Sequence, residues 1–279
     1  APEWGSDDWS RTLVYRKDLL TGELLTASSQ SNGTPGEGWA SSGGYGIGIS
    51  NDGSKVSFIY RGNDLVEGTN PDEIGMPHMP DYSPGRDSSD VYLKDFDTGN
   101  VYLASSNSEG EQIIDFGQYG SGAHLSPDGT KVVFTSNGEN SAQLYMKDVF
   151  TEDLILLSQN ASGEEGNGYS GADAVFSDDG KYIAYVSSAS NLAGFDPDYE
   201  EPTDVPPMFP YEKYLDKNNK SDVFIYELSS GNTKRLLNDI ANDFTDHIRN
   251  PNISGDGKYV SFSSRASGIL PGGQGSEVY

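Results

Sequence analysis

One short phrase recurs along this chain and limits what it can fold into: Ser50-Asn51-Asp52-Gly53, Ser126-Pro127-Asp128-Gly129, Ser177-Asp178-Asp179-Gly180 and Ser254-Gly255-Asp256-Gly257. In each copy the Asp-Gly pair supplies the positive φ of a tight hairpin turn. A Lys and a β-rich run follow every time, as in Lys55-Val56-Ser57-Phe58-Ile59-Tyr60, Lys131-Val132-Val133-Phe134, Lys181-Tyr182-Ile183-Ala184-Tyr185-Val186 and Lys258-Tyr259-Val260-Ser261-Phe262. Apolar residues occupy both alternating sets of these runs, which predicts strands buried on both faces.

A second hairpin alternates with the first: Asp90-Val91-Tyr92-Leu93-Lys94-Asp95 before Thr98-Gly99, Gln143-Leu144-Tyr145-Met146-Lys147-Asp148, and Asp222-Val223-Phe224-Ile225-Tyr226-Glu227 before Ser230-Gly231. Val14-Tyr15-Arg16-Lys17-Asp18 repeats the residues that begin at Val91, and Ser276-Glu277-Val278-Tyr279 repeats those that begin at Ser89. No stretch has the apolar periodicity of a helix. Two hairpins therefore make one unit, and four antiparallel strands buried on both faces are what a propeller blade requires. The expectation is an all-β β-propeller of four-stranded antiparallel blades. Complete blades fall at about residues 45–105, 121–158 and 171–238, with half-blades at 11–28 and 250–279.

These turns resemble the TolB-like propeller repeat, with its Ser-Pro-Asp-Gly-Lys turn and later Asp-Val-Phe/Tyr strand ending in Thr-Gly. The loops Asn63-Asp64-Leu65-Val66-Glu67-Gly68 and Ser190-Asn191-Leu192-Ala193-Gly194-Phe195-Asp196 are similar to those of its secreted bacterial members. The resemblance runs over about residues 11–279 and is specific for fold; such propellers include binding scaffolds, peptidase gates and polysaccharide-cleaving enzymes. Three arrangements fit the blade count. The chain is a piece of a larger propeller, or its two half-blades close a four-bladed ring, or the strand at Glu277 pairs with another subunit.

Composition narrows the partners. Lys and Arg number 18 against 43 Asp and Glu, for a formal charge of -25. That field repels phosphate backbones, so nucleic acid is not an expected partner. The absence of Cys removes disulfides and thiolate chemistry. No apolar run approaches the roughly 18 residues of a membrane helix, and no membrane span is expected. The chain opens Ala1-Pro2-Glu3, which fits a processed secreted protein or an excised fragment.

Long loops on a rigid scaffold are where chemistry tends to sit, and they are found here at about residues 63–89 and 189–221. In the second, Asp216, Asn218 and Asp222 have the alternating oxygen spacing with which a loop wraps Ca²⁺, and Asp196 and Asp198 add further ligands. Ca²⁺ is accordingly the expected cofactor, while the same carboxylates equally suit a solvated turn. The three histidines are His78, His124 and His247. His124 and His247 fall on or beside the strands expected to line a propeller channel, where they bind a ligand or serve as hydrogen-bonded structural groups. No Gly-x-Ser-x-Gly elbow is present, so no catalytic residue is assigned. The resulting expectation is a non-catalytic, secreted, periplasmic or cell-surface scaffold for a protein or glycan partner, with self-association through the C-terminal strand. The alternatives are a propeller enzyme acting on polysaccharide or peptide, with His124 and His247 in its site, and a subunit of a surface layer or filament.

Overall fold

The computed structural model describes residues 12–40, 46–62, 64–66, 90–113, 122–137, 141–192, 221–236, 248–264 and 277–278. They fall into two compact units, residues 1–134 with 146–154 and residues 135–145 with 155–279.

Each Ser-x-Asp-Gly phrase closes the same turn. The Ser hydroxyl donates to the Asp carboxylate at 2.6, 2.6, 2.7 and 2.8 Å from Ser50, Ser126, Ser177 and Ser254. The Gly N–H then donates to the Ser carbonyl at 2.9 Å in every copy. Gly53, Gly129, Gly180 and Gly257 have φ of 71, 73, 69 and 71°, where a side chain would be strained. Successive turns are also joined within each unit: the Asn51 N–H donates to the Pro127 carbonyl at 2.8 Å, and the Asp179 N–H to the Gly255 carbonyl at 2.9 Å.

The turns build antiparallel sheets. β1 (Tyr15–Lys17) and β2 (Leu24–Thr26) form a two-stranded sheet. In the next sheet β3 (Trp39–Ala40) and β4 (Ile47–Ile49) share one edge of β5 (Lys55–Arg61), followed by β6 (Asp90–Asp95) and β7 (Val101–Leu103). β8 (Ala123–Leu125), β9 (Lys131–Asn137), β10 (Ala142–Asp148) and β11 (Leu154–Leu156) pair in order. So do β12 (Ser170–Phe176), β13 (Tyr182–Ser187), β14 (Asp222–Glu227) and β15 (Asn232–Arg235). The last sheet is β16 (Ile248–Ile253), β17 (Val260–Ser264) and β18 (Glu277–Val278).

All described secondary structure is strand, and the three full sheets have the strand order of blades. Val56 to Tyr60 and Ile183 to Val186 are buried on both faces, whereas Ser261 of β17 is exposed. β18 pairs with β17 of its own chain, Val278 opposite Ser263 and Glu277 opposite Ser264. That is the register in which Val91 meets Ile59 and Asp90 meets Tyr60. One core gathers Val14, Ala27, Val56, Phe58, Tyr60 and Tyr92; another gathers Val186, Val223, Ile248 and Phe262.

The second hairpin turn is equally regular, with one exception. Gly22, Gly99 and Gly231 take φ of 79, 80 and 70°, but the same place in β10–β11 holds Glu152 at 66°. Its carboxylate pairs with Lys147, whose side chain is 0% exposed. The Lys147 ammonium also donates to the carbonyls of Asn107 at 2.6 Å and Glu152 at 2.9 Å. Lys94, at the matching position, reaches only carbonyls, those of Gln30 at 2.9 Å and Gly99 at 2.8 Å. Glu152→Gly should relieve about 1 kcal/mol of backbone strain and lose about 2 kcal/mol of charge-assisted bonding. The expected net is a loss of about 1 kcal/mol in urea unfolding; a more stable variant would show that strain outweighs the ion pair.

Candidate functional site

The strands that begin each first hairpin, β4, β8, β12 and β16, carry the features that depart from simple pleating. Four residues before the turn serine, Gly46, Gly122, Asp173 and Asn250 all take positive φ, at 101, 84, 55 and 51°. In β12 the pairing shifts between Ala172 and Val175, and in β16 between Arg249 and Asn252, so each strand has two residues opposite one. These are β-bulges whose first residue is left-handed, and a bulge re-aims side chains. In β16 it puts Arg249, Asn250 and Asn252 all in solvent, where strict alternation would divide them between two faces. Glycine satisfies the conformation in two strands, while Asp and Asn hold it in the other two by virtue of their short polar side chains.

Those polar groups meet. The Asn250 N–H donates to Asp173 Oδ2 at 3.4 Å, and Asn250 Nδ2 donates to Ser263 Oγ at 3.0 Å. Among the described residues Arg249 beside them makes no side-chain hydrogen bond or ion pair, a state it shares with Lys234 alone of the described cations. In a chain of net charge -25 an unpaired guanidinium next to two amides can take an oxyanion or a hydroxyl-rich ligand.

His124 lies on β8, half-buried and opposite Val133. Its ring rests over Gly122, where a Cβ would come within 2.6 Å of Nε2. Asp222 begins β14 and is buried against Arg235 at 2.9 Å. Its carboxylate thus already faces a cation. Asp196, Asp198, Asp216, Asn218 and His247 lie outside the described residues. Among the described residues no group of three or more His, Asp or Glu is placed to hold a metal ion.

The turn aspartates are held as anions. The Ser50 hydroxyl and Ser54 N–H bring Asp52 down to about 2. Burial pushes Asp128 up, but bonds from Ser126 and Thr130 outweigh it, and Asp179 and Asp256 are also lowered, chiefly by Ser177 and by Lys258 respectively. Their chemistry is that of the turn. Asp90 is the opposite case: burial raises it to about 6 against hydrogen bonds from Ser105 and Gln112.

Sequence reasoning missed three things. Arg249 and Asn250 belong to no periodic pattern, because the bulge that presents them breaks the pattern. A buried Asp90 reads the same as any strand-opening Asp. A third recurrent turn was visible as Ser28, Ser105 and Ser158, each followed at one spacing by Gly33, Gly110 and Gly163. These hydroxyls accept the N–H of Val14, Val91 and Leu144 at 3.0, 3.1 and 2.9 Å, tying β6, β10 and the residue before β1 each to the loop that follows the neighbouring strand.

No family model matches the sequence, and no curated protein matches it. Among solved structures it is similar to TolB from Acinetobacter baumannii, at 19% identity over 92% of this chain and 44% of that one, with a TM-score of 0.45. It is similar to a putative TolB from Agrobacterium tumefaciens, at 15% identity over 91% of this chain and 67% of that one, TM-score 0.38. An oligogalacturonate lyase from Vibrio parahaemolyticus matches at 14% identity over 97% and 59%, TM-score 0.48. The chain thus spans under half the length of the first of these. No helix among the described residues is long and apolar enough to cross a membrane. On their own strand order and repeated turns the described residues are all-β and build the four-stranded antiparallel blades of a β-propeller.

Proposed function

We propose that this chain is a non-catalytic scaffold, secreted or held at the cell envelope, that binds a protein or glycan partner at the bulged edge of β12 and β16. The observation that carries the reading is the set of Arg249, Asn250 and Asn252, all exposed on the bulged β16, with half-buried Asp173 of β12 accepting from Asn250. Most turn carboxylates, in contrast, are bonded into the fold. Arrays of glycans and peptides test it: a ligand captured by the full chain should bind at least about tenfold more weakly to Arg249→Ala, the effect of one charge-assisted hydrogen bond. Turnover of such a ligand that His124→Ala abolishes would establish the enzyme reading instead.

Ca²⁺ completes the proposal. Asp196, Asp198, Asp216 and Asn218 would supply the oxygens, and Asp222, tied to Arg235, would anchor the end of that loop. A Ca²⁺ concentration 100-fold above Kd should stabilise the chain by about 2.7 kcal/mol. Melting in Ca²⁺ and in chelator should therefore differ by several degrees, and Asp216→Asn should remove the difference. Equal melting temperatures would dismiss the ion.

A further inference from the structure

Three Asn-Gly steps occur in the sequence, at Asn32-Gly33, Asn137-Gly138 and Asn167-Gly168. Such a step can close on itself, because glycine has no side chain to shield the nitrogen that follows the asparagine. The second runs outside the described residues, and the fold treats the other two in opposite ways.

Asn32 stands in the first of three matching loops, where Gly33, Gly110 and Gly163 take φ of 86, 80 and 82°. Their N–H groups donate to the carbonyls of Gln30, Asn107 and Asn160 at 2.9, 3.1 and 2.9 Å. The residue before the glycine is Glu109 in the second loop and Ser162 in the third, so the first alone places a carboxamide there. Asn32, Gly33 and Thr34 are all exposed, and a Cβ on Gly33 would meet nothing within 4 Å. Asn32 Oδ1 accepts the Thr34 N–H at 2.8 Å. That bond folds the carboxamide forward along the chain, toward the Gly33 nitrogen, and sets a donor on the oxygen where negative charge develops when Cγ is attacked. Among the described residues Asn32 Nδ2 reaches Gln30 Oε1 alone, at 3.4 Å in the same loop.

Asn167 is also exposed but is fastened to another loop. Its Oδ1 accepts the Ser190 N–H and its Nδ2 donates to Ser190 Oγ, both at 2.8 Å, while its own N–H donates to Asn191 Oδ1 at 2.8 Å. Gly168 is half-buried, and a Cβ there would come within 2.7 Å of the Ser188 carbonyl oxygen. Turning this carboxamide toward Gly168 breaks two hydrogen bonds, and a ring at Gly168 has backbone in its way.

We propose that Asn32 is a site of spontaneous modification, where the chain deamidates through a cyclic imide, and that the product loosens the hold on Lys94. The Gly33 nitrogen loses its proton to hydroxide, releasing the Gln30 carbonyl, and attacks Asn32 Cγ. The Cγ–Nδ2 bond breaks, and the amide nitrogen leaves as ammonia with a proton from water, which returns the hydroxide and closes a five-membered imide. Water then adds to either imide carbonyl. Breaking the bond from Cγ to the Gly33 nitrogen gives aspartate; breaking the original peptide bond gives isoaspartate, with the chain routed through Cγ. One water is consumed and one ammonia released, and nothing is oxidised.

Isoaspartate adds a carbon to the backbone between Gln30 and Gly33 and so opens the turn that aims the Gln30 carbonyl. That carbonyl and the one of Gly99 hold the buried Lys94 ammonium, at 2.9 and 2.8 Å. Both residues lie in the same compact unit. The scaffold reading and its Arg249 edge play no part here, so the two stand or fall separately.

Full chain is aged in mildly alkaline buffer, folded or in urea, and digested, and mass spectrometry with fragmentation follows the amide-to-acid change at Asn32 and Asn167. In the folded chain Asn32 should convert at least about tenfold faster than Asn167, the effect of two hydrogen bonds on the barrier. In urea the two rates should agree, since both are Asn-Gly. The product should accept a methyl group from S-adenosylmethionine through an isoaspartyl methyltransferase. Aged parent should melt below fresh parent, whereas Asn32→Ser should melt alike before and after ageing. Asn32→Asp, which brings the charge without the extra carbon, should melt like fresh parent. Equal rates at the two sites in the folded chain, or a faster Asn167, overturn the site. Aged parent that melts with fresh parent after Asn32 has converted, or an Asn32→Ser chain that loses as much on ageing, overturns the link to Lys94.

Discussion

Arg235→Met is expected to destabilise the chain by about 3–5 kcal/mol, the usual cost of leaving a buried charge without its partner. Asp222 and Arg235 meet at 2.9 Å with side chains 3 and 5% exposed, on β14 and β15 of one sheet. Arg235 stands opposite Phe224 in the β14–β15 pairing. Asp222→Leu combined with Arg235→Met should recover most of the loss, because a buried pair exchanged for apolar groups of similar volume is close to neutral. Urea unfolding of Arg235→Met, Asp222→Leu and the double variant reads these quantities, and the change in the double variant less the sum of the two single changes is the coupling energy. A single variant that loses under about 1 kcal/mol would mean the pair is effectively solvated. The same pair bears on Ca²⁺. An ion bound through Asp222 would compete with Arg235, so the Arg235→Met chain should bind Ca²⁺ more tightly if that carboxylate is a ligand.

The sheet order was legible because it is written in turns, and turns are local. Ser-x-Asp-Gly places each first hairpin, and the Asp or Glu that ends the next strand places each second one; β5, β6, β9, β10, β13, β14 and β17 follow from them. What could not be read depends on residues that meet across strands. Asp90 and Asp222 open strands of nearly the same sequence, Asp-Val-Tyr and Asp-Val-Phe. Opposite the third residue of each strand stands Leu103 in one sheet and Arg235 in the other. That difference makes one acid a member of an ion pair and leaves the other without a cation among the described residues. The bulges are hidden for a similar reason. Gly46 and Gly122 look like flexible loop residues, and Asp173 and Asn250 like ordinary polar ones, until the shared positive φ shows them to be one position. Asp196, Asp198, Asp216, Asn218 and His247 lie outside the described residues.

Asp90→Asn is expected to stabilise the protein at neutral pH by about 1–3 kcal/mol, the reverse of the Arg235 result at the same strand position. Burial raises Asp90 from 3.8 to about 6, so between those values the folded chain holds a proton that the unfolded chain has released. Stability from this group is complete below about pH 4 and is lost as pH rises toward and past 6. The turn aspartates act in the opposite sense. Asp52, Asp128, Asp179 and Asp256 are all lowered, so their contribution is present above about pH 4 and disappears as pH falls through their folded values. Comparing Asp90→Asn with the parent at each pH cancels the turns and isolates the one group. The amide can be accommodated, because Gln143 fills the matching position in the next sheet, its Oε1 accepting from Ser158 at 2.6 Å and its Nε2 donating to Gly166 at 2.7 Å. Gln112 can present its oxygen to the new amide where it now donates to the carboxylate at 2.7 Å. The two unfolding curves should coincide near pH 4 and separate up to about pH 7, with the variant the more stable. Curves that run parallel across that range would place a cation or water at Asp90 and remove the charge penalty from the account.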